Sequence, residues 1–275
     1  MDLLSSFWRN RVIPLSPWSK TIFSFVFLVF FVYLLFGVFL YLSQRSLIYF
    51  PVAEIEHSFS IEQFAVNNVS ISAVVVNEHS DRAIIYFGGN AEAVVGEAAA
   101  FSKVFPQHTL YLINYRGYAG STGTPTESGL YADAIKIYDI LSKQHQFISV
   151  IGRSLGSGVA TYLASERKPE RIVLVTPFDS IQRLAQEFYP LYPMSVMLKD
   201  KYDSIGRVDK IEAPVLVIVA DDDYIIPRKN TQRLIDAFPP LQVRVHVIGR
   251  GGHNSVSTTD DYYEEIGRYL NEPQP

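Results

Sequence analysis

The sequence predicts an α/β domain, an eight-stranded and mainly parallel sheet with helices on both faces, preceded by one transmembrane helix. Three observations point there. Short runs rich in Ile and Val alternate with longer stretches of helical composition after residue 58. Several of those runs are nearly continuous in β-branched residues, as strands covered on both faces require. One further segment, residues 21–44, is apolar and aromatic and holds no charged side chain.

In chain order the apolar segment comes first. At ~1.5 Å per residue, its 24 positions would extend ~36 Å as a helix, against a hydrocarbon core of ~30 Å. A cleaved signal peptide has a shorter apolar core, roughly 7–15 residues, and small residues at its cleavage site. Tyr41-Leu42-Ser43-Gln44 offers no small-x-small pattern, and a buried core helix would show a polar face. Arg9, Arg11 and Lys20 precede the run, while only Arg45 follows it closely, with Glu54 and Glu56 beyond. The positive-inside rule then puts the N-terminus in the cytoplasm and the remainder on the far side. That means the periplasm in a bacterium, or a lumen or the exterior in a eukaryote. Trp8 and Trp18 sit where an interfacial aromatic belt would lie. The expected organisation is a cytoplasmic segment over 1–20, an anchor helix over 21–44 and one domain over 45–275.

Within that domain, strands are expected at 59–66, 70–76, 83–87, 109–114, 147–151, 171–175, 215–220 and 243–248. Helices are expected at 91–104, 128–144, 154–167, 181–188, 229–237 and 259–270. Two strands joined by a short turn, then repeated strand–helix units, define a mainly parallel sheet. In such a sheet the active site lies at the carboxyl ends of the strands.

Composition removes several classes of function. The chain has 275 residues, 48% hydrophobic, with a net charge of −4. Asp2, Arg9, Arg11 and Lys20 are the only charges before residue 43, so the rest carries 21 basic and 27 acidic residues, net −6. With no basic surplus to neutralise phosphates, no nucleic-acid partner is expected. The absence of cysteine excludes disulfides, thiolate nucleophiles and Cys-ligated zinc together.

Chemistry then concentrates at three strand ends. After the strand at 147–151 comes Gly152-Arg153-Ser154-Leu155-Gly156, a G-x-S-x-G pentad between strand and helix. Glycines permit the tight, strained turn that exposes a serine hydroxyl at a helix N-terminus. That hydroxyl needs a base. Of six histidines, His57 and His79 lie early, His108 and His145 precede strands, and His246 lies inside one. His253 alone follows the last strand, in the loop Gly249-Arg250-Gly251-Gly252-His253-Asn254-Ser255. The strand at 215–220 ends in Asp221-Asp222-Asp223, a run from which one carboxylate could orient the imidazole. The amides of Leu155, and of Asn90 in Gly88-Gly89-Asn90-Ala91 after the strand at 83–87, are the expected oxyanion donors.

From about Arg45 to Leu270 the chain resembles the α/β-hydrolase superfamily. Within it, the chain is similar to a membrane-anchored serine hydrolase branch related to serine aminopeptidase-like and eukaryotic α/β-hydrolase-domain enzymes. Four segments carry the resemblance: Gln44-Arg45-Ser46-Leu47-Ile48-Tyr49-Phe50-Pro51, Tyr86-Phe87-Gly88-Gly89-Asn90-Ala91, Asn114-Tyr115-Arg116-Gly117-Tyr118-Ala119-Gly120-Ser121, and the serine pentad. Gly88 stands where a His is usual and Asn114 where an Asp is usual. The resemblance places the acid four residues before a proline, which here selects Asp223 before Pro227 over Asp222. It gives Tyr115 and Arg116 structural roles in their loop.

The resemblance implies a Ser154–His253–Asp223 triad that cleaves a carboxylic ester or thioester through an acyl-enzyme, with no metal or organic cofactor. The expected substrate is a small-molecule or lipid-like acyl ester. Two alternatives stand beside it, a serine aminopeptidase-like peptidase and a catalytically silent scaffold at the membrane. Residues 176–214 are expected to form a short lid. Its apolar side chains, Phe178, Leu184, Phe188, Tyr189, Leu191, Tyr192, Met194, Val196, Met197 and Leu198, either wall an acyl site or pack onto the sheet.

Overall fold

The computed structural model describes residues 16–78 and 80–272, so Trp8, Arg9, Arg11 and His79 lie outside the described residues. The chain divides into two compact units, Met1–Ser43 and Gln44–Pro275. In the first, helix α1 begins at Pro17 and runs on to Ile48 in the second unit. Proline suits the first helical position, and Ser16 caps the Ser19 amide at 3.2 Å. The helix is long and apolar enough to cross a membrane, and its most apolar window is unburied.

The second unit holds one sheet of eight strands in the order β1-β2-β4-β3-β5-β6-β7-β8. The strands are β1 Ser60–Val66, β2 Val69–Val76, β3 Arg82–Phe87, β4 Thr109–Ile113, β5 Phe147–Arg153, β6 Ile172–Val175, β7 Val215–Asp222 and β8 Val243–Gly252. β2 pairs antiparallel with β1 and β4, and every later neighbour is parallel. Asn67, at φ 53°, makes the tight β1–β2 turn in the left-handed conformation that asparagine tolerates.

Alternation along the strands builds two cores. Ile85, Val150, Leu174 and Val217 face one side, with α3 (Glu127–Leu141), α4 (Leu155–Glu166) and α7 (Arg228–Ala237) packed there. Ile84, Tyr86, Ile151, Val173 and Ile218 face the other, under α2 (Val95–Val104) and α8 (Asp260–Asn271). Both faces are therefore covered, which is why the strands read as unbroken apolar runs.

Two expectations need correction. The strand expected to end at 248 continues through Gly252, because β7 also continues and Asp222 pairs with Gly252 past a register shift. Glycine permits a bend without forbidding extended backbone, so a Gly-rich run there is strand before it is loop. Helix α2 starts at Val95 rather than 91, after a turn in which Ala91 has φ 61°. The lid region holds the expected α5 (Ile181–Phe188), a short α6 (Met194–Met197) and a 3-10 turn (Ile205–Lys210). Phe178, Tyr192, Met194 and Leu198 are buried, whereas Phe188, Leu191 and Val196 are exposed.

Candidate active site

β5 and α4 place Ser154 between them. It has φ 49° and ψ −114°, a strained conformation for a side chain. The flanking glycines make the turn possible. A Cβ on Gly152 would lie 2.3 Å from the Gly156 carbonyl oxygen, and one on Gly156 would lie 2.0 Å from that of Phe87. The Ser154 amide donates to the Val175 carbonyl at 2.9 Å, tying the turn to β6.

His253 follows β8 directly and brings Nε2 to 2.8 Å from Ser154 Oγ. Its Nδ1 lies 2.7 Å from Asp223 Oδ2. The other Asp223 oxygen accepts from the Ile225 and Ile226 amides at 2.9 and 2.8 Å. Both oxygens are therefore committed, which fixes the orientation of the carboxylate beside the imidazole. The His253 and Asp223 side chains are only 7% and 8% exposed. Asp221 and Asp222 are exposed, and Asp222 pairs through its backbone with Gly252. Of the three consecutive acids, Asp223 meets the imidazole.

The loop after β3 lies against the serine. A Cβ on Gly89 would stand 3.7 Å from the Ser154 Cβ. Asn90 is held from one side, its Oδ1 accepting from the Phe50 amide at 2.9 Å and the Tyr118 hydroxyl at 3.1 Å. Tyr115 donates to the Gly88 carbonyl at 2.6 Å. Leu155 opens α4, so its amide lies among the first-turn N–H groups that have no acceptor within the helix. A cavity of about 150 Å³ meets these groups, lined by Gly89, Asn90, Ala91, Glu92, Arg153, Ser154, His253 and Asn254.

Other parts of the sequence reading fall elsewhere. Arg116 makes a bidentate pair with Asp133, at 2.7 and 2.6 Å, that fastens its loop to α3. His108 accepts from Arg82, His145 contacts the Tyr111 hydroxyl and the Ser80 carbonyl, and His246 contacts Asp261. None of these lines the Ser154 cavity. Among the described residues, no group of three or more His, Asp or Glu is placed to hold a metal ion.

Sequence reasoning missed a charged cluster beside the serine. The Arg153 guanidinium lies 3.3 Å from Glu92 and 3.6 Å from Glu97. Burial opposes the charge of Arg153, but Glu92 and its neighbours outweigh that and raise its pKa. Burial, then the Glu92 charge, raises the Glu97 carboxyl above the usual range. The serine pentad displayed Arg153, but nothing in its linear neighbourhood showed which acids would meet it.

A mainly parallel sheet with this strand order and a strained serine on the β5–α4 turn is an α/β-hydrolase fold. Solved structures agree. A Pyrococcus furiosus esterase, Pf2001, superposes with a TM-score of 0.63 at 15% identity, over 81% of this chain and 96% of its own. A putative hydrolase from Agrobacterium vitis superposes at 0.62 and 15% identity, over 78% and 98%. The chain belongs to the family described as Serine hydrolase (FSH1), which it matches over residues 91–262. Among its relatives, the uncharacterised Mycobacterium tuberculosis protein Rv2307c is 34% identical over 86% of this chain and 90% of its own. Protein bem46 of Schizosaccharomyces pombe is 26% identical over 85% and 88%. An uncharacterised Saccharomyces cerevisiae membrane protein, YNL320W, is 26% identical over 71% and 73%.

Proposed function

We propose that this serine hydrolase cleaves a carboxylic ester or thioester at Ser154 and is held at a membrane by α1. Ser154 Oγ attacks the acyl carbonyl carbon while His253 Nε2 takes its proton. The Asn90 and Leu155 amides stabilise the tetrahedral oxyanion. Collapse expels the alcohol or thiol, which receives the proton from His253. Water, activated by the same nitrogen, then releases the acid from the acyl-enzyme. Asp223 holds the imidazole in the productive tautomer and stabilises its charged form. The observation that carries this reading is the unbroken chain from Ser154 Oγ to His253 at 2.8 Å and on to Asp223 at 2.7 Å. A silent scaffold would have no need for all three groups in hydrogen-bond register.

A peptidase acting on free N-termini needs a carboxylate open to the substrate amine. The cavity carboxylate nearest that role, Glu92, already accepts from the Gly89 amide and the Tyr86 hydroxyl at 2.6 Å each and faces Arg153. Ester and thioester cleavage therefore stands first. The basic flank Arg9, Arg11 and Lys20 supports a cytoplasmic N-terminus with the hydrolase unit on the far side.

The test compares an ester, a thioester and an aminoacyl amide of matched acyl length on the full-length protein in detergent. Ester or thioester turnover is expected to exceed amide turnover, to vanish in Ser154→Ala, and to fall roughly 10⁴-fold in Asp223→Asn. Faster amide turnover, or hydrolysis that survives Ser154→Ala, would contradict the proposal.

A further inference from the structure

Beneath the Ser154 turn, a single buried guanidinium joins the two loops that complete the site. Arg153 Nη1 faces Glu92 Oε2 at 3.3 Å. Its Nη2 donates to the Asn254 carbonyl at 3.3 Å and reaches the His253 carbonyl at 3.5 Å. Glu92 Oε2 accepts from the Gly89 amide at 2.6 Å, and Oε1 accepts from the Tyr86 hydroxyl at 2.6 Å. Glu97 stands 3.6 Å from the same guanidinium and accepts from the Tyr263 hydroxyl at 2.9 Å. One continuous path therefore runs from Gly89 through Glu92 and Arg153 to the backbone of His253.

We propose that Glu92 and Arg153 are positioning residues, a paired strut that sets the oxyanion loop and the His253 loop against Ser154. The physical case rests on what each loop lacks by itself. Gly89 has no side chain to fix its peptide, and the Asn90 amide is only as well aimed as the peptide that precedes it. The Glu92 carboxylate holds the Gly89 N–H by a charge-assisted bond, which is stronger than a neutral one. His253 follows Gly251-Gly252, so its backbone is otherwise guided mainly by the last rungs of β8. Arg153 grips the carbonyls of His253 and Asn254 from the strand that also carries the nucleophile. Because Arg153 is covalently adjacent to Ser154, a movement of either loop is referred to the serine itself. The side chains are 10% and 13% exposed, so little water competes for these contacts.

A strut of this kind acts on the transition state more than on substrate binding. Displacement of a catalytic group by about 1 Å costs on the order of 100-fold. The inference rests on Ser154 being the nucleophile. The experiment measures kcat and KM for a water-soluble ester, and the inhibition constant of phenylboronic acid, which forms a tetrahedral adduct on an activated serine. The full-length wild type is compared with Ser154→Ala, Arg153→Met, Arg153→Lys and Glu92→Gln.

Arg153→Met is expected to lower kcat by roughly 100-fold and to weaken the boronate by a similar factor, with KM within about twofold. Glu92→Gln, which keeps an acceptor for Gly89 but loses the charge facing Arg153, should lose roughly tenfold in both. Arg153→Lys should recover part of the Arg153→Met loss. A merely structural role would lower active-enzyme yield or melting temperature and leave the boronate-to-KM ratio unmoved. If Arg153→Met does not fold, the same two readouts on Glu92→Gln and Arg153→Lys decide. Wild-type kcat and boronate affinity in those variants, with Ser154→Ala inactive, would overturn the strut alone. Turnover that persists in Ser154→Ala would overturn the nucleophile assignment instead.

Discussion

Two buried histidines show how environment separates chemistry from architecture. His253 has a carboxylate on Nδ1 and a serine hydroxyl on Nε2, the arrangement of a base. His108 is equally enclosed but accepts from Arg82, a cation, at 3.3 Å. Burial, and then the Arg82 charge, push the His108 imidazole down to about 4. The folded state therefore refuses a proton that the unfolded chain binds near pH 6.5. Its contribution to stability is complete above pH 6.5 and is lost as pH falls toward 4. His108→Gln keeps an acceptor for Arg82 and does not titrate, so its melting temperature should fall less between pH 7.5 and pH 5 than that of the wild type. Parallel falls would mean that the acid sensitivity lies elsewhere. At this scale the sequence was informative where residue type and punctuation coincided. Ser154 lay between two obligatory glycines, and His253 in the glycine-rich run that follows the last expected strand. Asp223 could not be separated from Asp222 by local pattern, since both follow the same strand. Burial and the Ile225 and Ile226 amides make the distinction, and those are properties of the folded turn.

Among elements, contact decides which glycines matter. Gly156 brings α4 so close to β3 that any Cβ meets the Phe87 carbonyl at 2.0 Å, an obstacle made of backbone. Gly96, in α2, has nothing within 4 Å of an added Cβ. Gly156→Ala is therefore expected to lose about 2–3 kcal/mol and most of its activity, because the helix that follows Ser154 must retreat from β3 and the loop that carries Asn90. Gly96→Ala should gain up to ~1 kcal/mol with activity unchanged. Chemical denaturation of the two variants side by side checks both signs, and equal behaviour would contradict the close-approach explanation. The segment from Gln44 is a second example. Gln44 bonds the Met197 carbonyl and the Lys199 amide, Arg45 pairs with Asp200, and Tyr49 meets the Tyr202 hydroxyl at 2.9 Å. Phe50 then donates to Asn90. Residues that the sequence presented as a junction are thus bonded to the 197–202 segment and to Asn90 in the loop after β3. Periodicity identified the strands and long helices because each buries a whole face. It missed α6 and the 3-10 turn, each of which buries a single residue, Met194 and Val208, and so leaves no repeat to detect.

For the whole molecule, the architecture was legible because both sheet faces are covered, which writes continuous Ile and Val into the parallel strands. Strand order was less directly written. β4 lies between β2 and β3, an order that the linear alternation of strands and helices does not specify. The Arg153–Glu92 pair was not legible at all, since it joins positions 61 residues apart through a folded turn. All of these features converge on one claim, that Ser154 is an activated nucleophile. The most direct measurement is fluorophosphonate labelling of membranes containing the full-length protein, followed by mass spectrometry of the modified peptide. The wild type should take one label, on Ser154, and both Ser154→Ala and His253→Ala should take none. A folded wild type without label, or a label on another residue that survives Ser154→Ala, would contradict the assignment of this site.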